Sequence, residues 1–294
     1  MTRLSRLAAP FAHPWLLAEL FALVNLGALA GDVWLAHSVN AFARAEEWIP
    51  VIFSLAAPLL LLAAAVAGGV RPDAHLVAAA PRERLGRILG LLVGWLSVAV
   101  GIGGMLYHLE SHFFEEQTLR NLVYTAPFVA PLAYTGIGLL LILDRTTDPA
   151  SPAWPRWVVF LACGGFAGNF VLSLADHAQN GFFNRLEWIP VIVSALGLAF
   201  LLITVVRPAD RKLLRWTWGI VALQIVTGVA GFALHVLANV HAEGAGLWQK
   251  FVFGAPAFAP LLFANLALLA AIGLWPMSRA AFIREARLRA PAVS

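Results

Sequence analysis

Cysteine and charged residues are the scarcest components of this sequence. Its 294 residues include a single cysteine, Cys163, which excludes a disulfide within the chain and a zinc site built on several thiolates. Only 12% of the residues are Asp, Glu, Lys or Arg, whereas 61% are hydrophobic. Soluble domains carry about 25% charged residues. The composition therefore predicts an all-α integral membrane protein whose main partner is the lipid bilayer.

Eight apolar segments have the length of about 20 residues that a helix needs to cross a bilayer. They are residues 16–37, 49–69, 86–108, 122–143, 157–177, 188–206, 216–238 and 251–275. Of the 20 Lys and Arg residues, 16 lie at the termini or in alternate loops, and four lie in the other loops. The positive-inside rule places the basic set in the cytoplasm. We expect a multi-pass protein of the bacterial inner membrane with both termini cytoplasmic. The high pI does not indicate nucleic-acid binding, because the basic residues flank apolar segments.

The hexapeptide EWIPVI occurs twice, at Glu47–Ile52 and at Glu187–Ile192. An ungapped alignment of residues 37–66 with 177–206 has 13 identical positions out of 30. Further matches follow later in each half, namely Gly101, Gly104 and His108 with Gly228, Gly231 and His235, and APFVAPL with APAFAPL. Internal repetition of this kind indicates a duplicated unit.

The duplicated unit contains four apolar segments, so both copies begin and end on the same side of the membrane. The sequence therefore predicts two parallel repeats of four helices, residues 1–150 and 151–294, related by a pseudo-two-fold axis along the membrane normal. Each repeat would form a four-helix bundle.

Histidines and glutamates recur at matched positions of the two halves. Six of the eight histidines form the pairs His37/His177, His108/His235 and His112/His241, and the hexapeptides supply Glu47 and Glu187. All eight of these residues lie on the predicted periplasmic side, so we predict that they are metal ligands, in one centre per half or one centre between the halves. The residues predicted to support the ligands are Asn40, Asn180, Asp176 and Asp32.

The scarcity of sulfur argues against a Cu(I) relay, and a His/Glu set suits iron, copper or zinc. Matched glycines precede His108 and His235, and they would let a helix or a flat cofactor approach closely. The structural alternative for each residue alone is an interfacial histidine or a glutamate favoured by a helix N-terminus. The matched set on one face favours a site.

Three functions are compatible with such a site. The first is a membrane metalloenzyme, an oxidoreductase that acts on a lipid-soluble substrate such as a quinone or a lipid. The second is a protein that binds haem b through two histidines. The layout of eight helices with histidines near the outer surface is similar to that of the haem A synthases, although the histidines lie on different helices. The third is a metal or small-solute transporter, or an accessory subunit of a membrane complex.

Overall fold

The computed structural model describes residues 13–68, 80–244 and 246–289, with side chains to residue 284. His75 lies outside the described residues. In this part of the chain all regular structure is helical. The helices are α1 Pro14–His37, α2 Trp48–Val66, α3 Pro81–Glu110, α4 Leu119–Tyr124, α5 Leu132–Thr146, α6 Ala153–Gln179, α7 Trp188–Val206, α8 Arg211–His241, α9 Leu247–Phe253 and α10 Leu261–Arg289.

Seven of the described helices are long and apolar enough to cross a membrane, namely α1, α2, α3, α6, α7, α8 and α10. The chain is therefore a multi-pass, all-α membrane protein, as the composition predicted. The fourth predicted segment, residues 122–143, differs from the prediction because α4 ends at Tyr124 and α5 begins only at Leu132. Pro127 and Pro131 lie in this break, where each proline removes a backbone N–H donor.

The last predicted segment, residues 251–275, contains the same kind of break. Helix α9 ends at Phe253, and α10 begins at Leu261, after Pro256 and Pro260. Helix α10 then continues for 29 residues and qualifies as a span, whereas α5 has only 15 residues and does not. The two breaks thus occur at matched places in the halves.

Contacts between long helices fall into two sets. Helices α1 and α3 each pack against α2 and α5, and α6 and α8 each pack against α7 and α10. The sets meet where α5 packs on α6 and where α10 packs on α1. Within each set the two helices that carry matched histidines, α1 with α3 and α6 with α8, are separated by the other two. The pseudo-two-fold relation and the division at residue 150 stay predictions.

The end of the helices that bears Glu47 and Glu187 is called the histidine face below, because α1, α3, α6 and α8 all end there. The opposite end is called the basic face. It includes the start of α3, with Arg82, Arg84 and Arg87.

Candidate metal site at the histidine face

The two EWIPVI segments adopt the same local structure. A 3₁₀ turn, Ala45–Glu47 or Arg185–Glu187, leads directly into a 19-residue helix that begins at Trp48 or Trp188. Proline in the first turn of each helix is tolerated, because the N–H groups there have no partner within the helix. The pattern of buried and exposed residues is identical over 41–50 and 181–190. Each segment therefore delivers its glutamate to an equivalent position.

A short turn connects each first histidine to its glutamate. Phe42 and Phe182 have φ values of 54° and 51°, a left-handed conformation that is costly for a bulky residue. Each ring stacks on the tryptophan that starts the next helix, with ring centres 4.2 Å apart for Phe42 and Trp48 and 4.1 Å apart for Phe182 and Trp188. The stacking offsets the backbone strain and fixes the turn in both halves.

In the first half, the turn and the helices bring two imidazoles together. The ring centres of His37 and His108 are 6.2 Å apart, with an angle of 71° between the ring planes. His37 Nδ1 lies 3.0 Å from the carbonyl oxygen of Val33, and His108 Nδ1 lies 2.9 Å from that of Pro127. A carbonyl oxygen only accepts, so Nδ1 is the protonated nitrogen in each ring. Nε2 is then left with the lone pair that a metal ligand requires.

The proline break provides the acceptor for the second histidine in each half. His235 Nδ1 donates to the carbonyl oxygen of Pro256 at 2.9 Å, the same distance as from His108 to Pro127. A β-carbon on Gly104 would lie 2.8 Å from Pro131 Cβ, and one on Gly231 would lie 2.8 Å from Pro260 Cβ. These glycines therefore admit the proline turn rather than a flat cofactor.

Two polar residues that sequence comparison missed hold the proline turns. Ser111 Oγ accepts a hydrogen bond from the backbone of Ala126 at 2.9 Å, and Asn239 Oδ1 accepts one from Ala255 at 2.8 Å. Asn239 is also buried and donates to the Ala255 carbonyl oxygen. Their roles match although the residue types do not, so identity between the halves gave no signal.

The glutamates lie beside the histidines, and each retains an unpartnered oxygen. Glu47 Oε1 accepts a hydrogen bond of 2.7 Å from Asn40 Nδ2, whereas Glu187 Oε2 lies 3.7 Å from His177 Nδ1, too far for a hydrogen bond. Oε2 of both glutamates is buried and has no hydrogen-bond partner among the described residues. A buried carboxylate oxygen without a partner is costly. Each half therefore has one buried carboxylate oxygen without a hydrogen bond among the described residues.

Electrostatic interactions link the histidines and the glutamate within each half. His108 interacts with His37 and Glu47, and His177 interacts with Glu187 and His235. Each half thus assembles two histidines and one glutamate, all partly buried. Within each half the histidines come from the ends of two different helices, so side chains about 60–70 positions apart in the sequence interact.

The third histidine pair does not join these groups. Helix α3 ends at Glu110, so the spacing of four between His108 and His112 does not place both rings on one helix face. His112 is exposed, and its Nδ1 lies 4.0 Å from Glu115. His241 is the last residue of α8 and not part of a loop, and its ring donates to Leu237.

The four predicted supporting residues differ in what they contact. Asn40 holds the carboxylate of Glu47 and not an imidazole. Asn180 is exposed at the end of α6, and Asp32 is exposed on α1. Asp176 is half-buried beside the α4–α5 break, where it lines a narrow pocket with Pro127. Only Asn40 therefore contacts a predicted ligand directly.

Among the described residues no three His, Cys, Asp or Glu side chains already form a closed metal-binding group. The donor types, the free Nε2 atoms and the unpartnered carboxylate oxygens fit a metal, but the ligands are not gathered around one point. No family model, curated protein or solved structure matches this chain.

Proposed function

We propose that this chain is a membrane metalloprotein with a transition-metal centre at the histidine face of each half. His37, His108 and Glu47 would hold the first centre. The observation that carries the proposal is the buried, unpartnered Oε2 of Glu47 beside two imidazoles, repeated in the second half at Glu187 with His177 and His235. Two histidines and one carboxylate are the donor set of non-haem iron sites with open positions, and zinc enzymes use the same residue types.

The proposed activity is that of an oxidoreductase acting on a lipid-soluble substrate such as a quinone or a lipid. An iron or copper ion with an open coordination position would supply the redox chemistry. This chain would orient His37 and His108 through their Nδ1 bonds to Val33 and Pro127, leaving Nε2 free. It would also hold Glu47 through Asn40. We expect metal binding to draw the free carboxylate oxygen toward the two imidazoles and so close the group.

The proposed setting is the bacterial inner membrane, with two parallel four-helix repeats and both centres on the periplasmic side. The distribution of basic residues supports the orientation. The two matching sets of helix contacts and the two matching proline breaks support the repeat. A partner in a membrane complex would reach the site past His112, just beyond α3, and past His241, at the end of α8, which are both exposed.

Binding of haem b between two histidines is the second candidate function. His37 and His108, whose ring centres lie 6.2 Å apart, would hold the haem iron from two different helices. A haem held by two histidines would need no third side chain. The closely packed proline turn beside Gly104 counts against a large flat cofactor on that side of His108.

Elemental analysis of the purified protein in detergent, together with a visible spectrum, tests both candidates. We expect about two equivalents of iron or copper per chain and no Soret band. His37→Ala or His108→Ala should remove about one equivalent, and His177→Ala should remove the other. His75, which has no matched histidine in the other half of the sequence, supplies the control, and His75→Ala should leave the metal content unchanged.

Other results would separate the candidates. A Soret band that His37→Ala abolishes would establish the haem candidate, and zinc as the only metal would contradict oxidoreductase activity. Equal metal loss from His37→Ala and His75→Ala would contradict the site, as would a protein that binds neither metal nor haem after both are added.

A further inference from the structure

A large apolar groove lies between α1 on one side and α8 and α10 on the other. Its volume is about 720 Å³, within the range of about 300–1,000 Å³ typical of small-molecule sites. Its lining includes Leu20, Phe21, Val24, Trp218, Leu268 and Trp275. Helices α1 and α10 belong to different helix sets and pack on each other, so the groove lies at the junction of the two sets.

The groove contains one polar pair, Asn25 on α1 and Asn265 on α10. Asn25 Nδ2 donates to the Phe21 carbonyl oxygen at 2.8 Å, and Asn265 Nδ2 donates to Asn25 Oδ1. An amide has two N–H donors and a carbonyl acceptor. Each amide therefore has a second N–H to offer, and Asn265 also has its carbonyl oxygen. Both side chains are partly accessible from the groove.

The position of the pair matters because hydrocarbon offers no hydrogen bonds. Asn25 lies 11 residues after the start of α1 at Pro14 and 12 residues before its end at His37, hence at mid-membrane. The internal repeat does not require these asparagines, because the matched positions are Gly165 and Gly136. Polar residues at this depth mark functional positions more often than not.

We propose that this groove binds a neutral, ring-containing lipid of the isoprenoid quinone class, with a ring oxygen hydrogen-bonded to Asn25 and Asn265. A phospholipid headgroup is charged and does not reach mid-membrane, and an acyl chain has no group to bond to an amide. A quinone ring is neutral and flat, and it would pack against Phe21, Trp218 and Trp275 while its oxygens meet the amides.

The identification of this lipid as the substrate rests on the proposed function. The proposal that the lipid binds in the groove does not depend on that function. Asn25 and His37 are 12 residues apart on one helix, a separation of about 18 Å along its axis. A molecule bound to the amides would therefore be too far away to be a ligand of the His37 metal. The groove and the metal centre are distinct sites that can fail independently.

Quenching of tryptophan fluorescence tests the proposal, because a quinone in the groove lies against Trp218 and Trp275. The protein would be placed in phosphatidylcholine nanodiscs and titrated with a decyl-substituted benzoquinone. We expect saturable quenching, with the affinity reduced about tenfold by Asn265→Leu, the effect of about 1.4 kcal/mol of hydrogen bonding. Leu268→Trp should fill the groove and abolish saturable quenching even if Asn265→Leu does not fold.

Asn169→Leu is the matched control, since Asn169 is a buried asparagine on α6 and does not line the groove. It should leave the quinone affinity unchanged. Decylbenzene, which has the chain and ring without oxygens, should compete at least tenfold more weakly. Equal competition by decylbenzene, or saturable quenching that survives both groove variants, would overturn the proposal.

The His37→Ala variant separates this proposal from the metal site. It should lose metal but bind the quinone with unchanged affinity. Loss of quinone binding together with the metal would place the ligand at the histidine face and overturn the groove site. If the protein binds the quinone but never holds metal, the groove proposal is supported and the proposed metal centre is contradicted.

Discussion

The two halves share one scaffold at the histidine face but differ in the partner of the carboxylate. In the first half Asn40 donates to Glu47, and His37 Nδ1 is bonded to a backbone carbonyl. In the second half Asn180 is exposed, and His177 Nδ1 faces Glu187 at 3.7 Å. The turns, proline breaks and helix starts are the same. The difference teaches that the matched segments share the backbone that positions the histidines and glutamates, while the contacts of the individual side chains differ.

The basic face differs between the halves much more. Arg145 makes two hydrogen bonds to Glu19, at 2.7 and 2.9 Å, and both residues are buried. Gly90 leaves the space that the Arg145 guanidinium fills. Asp144 is buried next to Arg145, with one oxygen bonded to Trp154 and the other unpartnered. Glu19 therefore forms a buried ion pair near the start of the first span.

The second half has apolar residues at the places of this ion pair. The matched positions are Val159 for Glu19 and Leu274 for Arg145, and both belong to one buried hydrophobic cluster. A buried ion pair and a well-packed apolar pair can be of similar stability, whereas removal of one charge leaves the other unpaired. The chain therefore has a buried ion pair at this position in the first half and a buried apolar pair at the matched position in the second half.

The largest expected effect is on this buried ion pair. Arg145→Leu should lower the free energy of unfolding by about 3–5 kcal/mol, because it leaves the Glu19 carboxylate buried without its partner. The double variant Glu19→Val with Arg145→Leu copies the second half and should recover most of the stability. Thermal unfolding in detergent measures both. A double variant as unstable as Arg145→Leu would show that an apolar pair cannot replace the ion pair at this position.

A smaller effect should distinguish the two proposed metal sites. Asn40→Ala removes the hydrogen bond to Glu47 and should weaken metal binding at the first site by about 10–100-fold. Asn180→Ala at the matched position should change neither site, since Asn180 makes no hydrogen bond to Glu187 among the described residues, whereas Asn40 donates to Glu47. Metal titration of each variant, with the opposite site removed by His177→Ala or His37→Ala, measures the affinities separately. Equal losses would mean that both asparagines support a site.

The smallest effect should be the same in both halves. Phe42→Leu and Phe182→Leu keep an apolar side chain and the same backbone strain, but each loses the stacking on its tryptophan. Each should lower the free energy of unfolding by about 0.5–1.5 kcal/mol. Chemical unfolding in mixed micelles gives the two values. A difference of more than about 1 kcal/mol between them would show that the matching turns are not equally important to stability.

Much of the fold could be predicted because its signals are local. Long apolar runs predicted the spanning helices, and the EWIPVI repeat correctly indicated equal helix starts at Trp48 and Trp188. The two proline breaks were the main error in the segment bounds. A mostly apolar run between residues 122 and 143 resembles a helix, but the backbone is extended at Thr125, and Pro127 and Pro131 remove two N–H donors in the break that follows.

The candidate site was partly predictable for the same reason. Pairing between the halves singled out His37, His108 and Glu47, but it equally selected His112, which lies exposed beyond the end of α3. Helical spacing predicts neighbours only while the helix continues, and nothing local to His112 showed that α3 ends at Glu110. Glu19 and Arg145 were missed as partners because they are 126 residues apart.

The sequence by itself determined the membrane class, the internal duplication and the face on which the paired histidines lie, because apolar length and repeated motifs depend on short stretches of chain. Only the tertiary structure decided which imidazoles meet, which carbonyl oxygens orient them, and that Asn25 meets Asn265 at mid-membrane. Those contacts join different helices, and their geometry is fixed by how the helices pack. Packing depends on the shapes of many side chains at once.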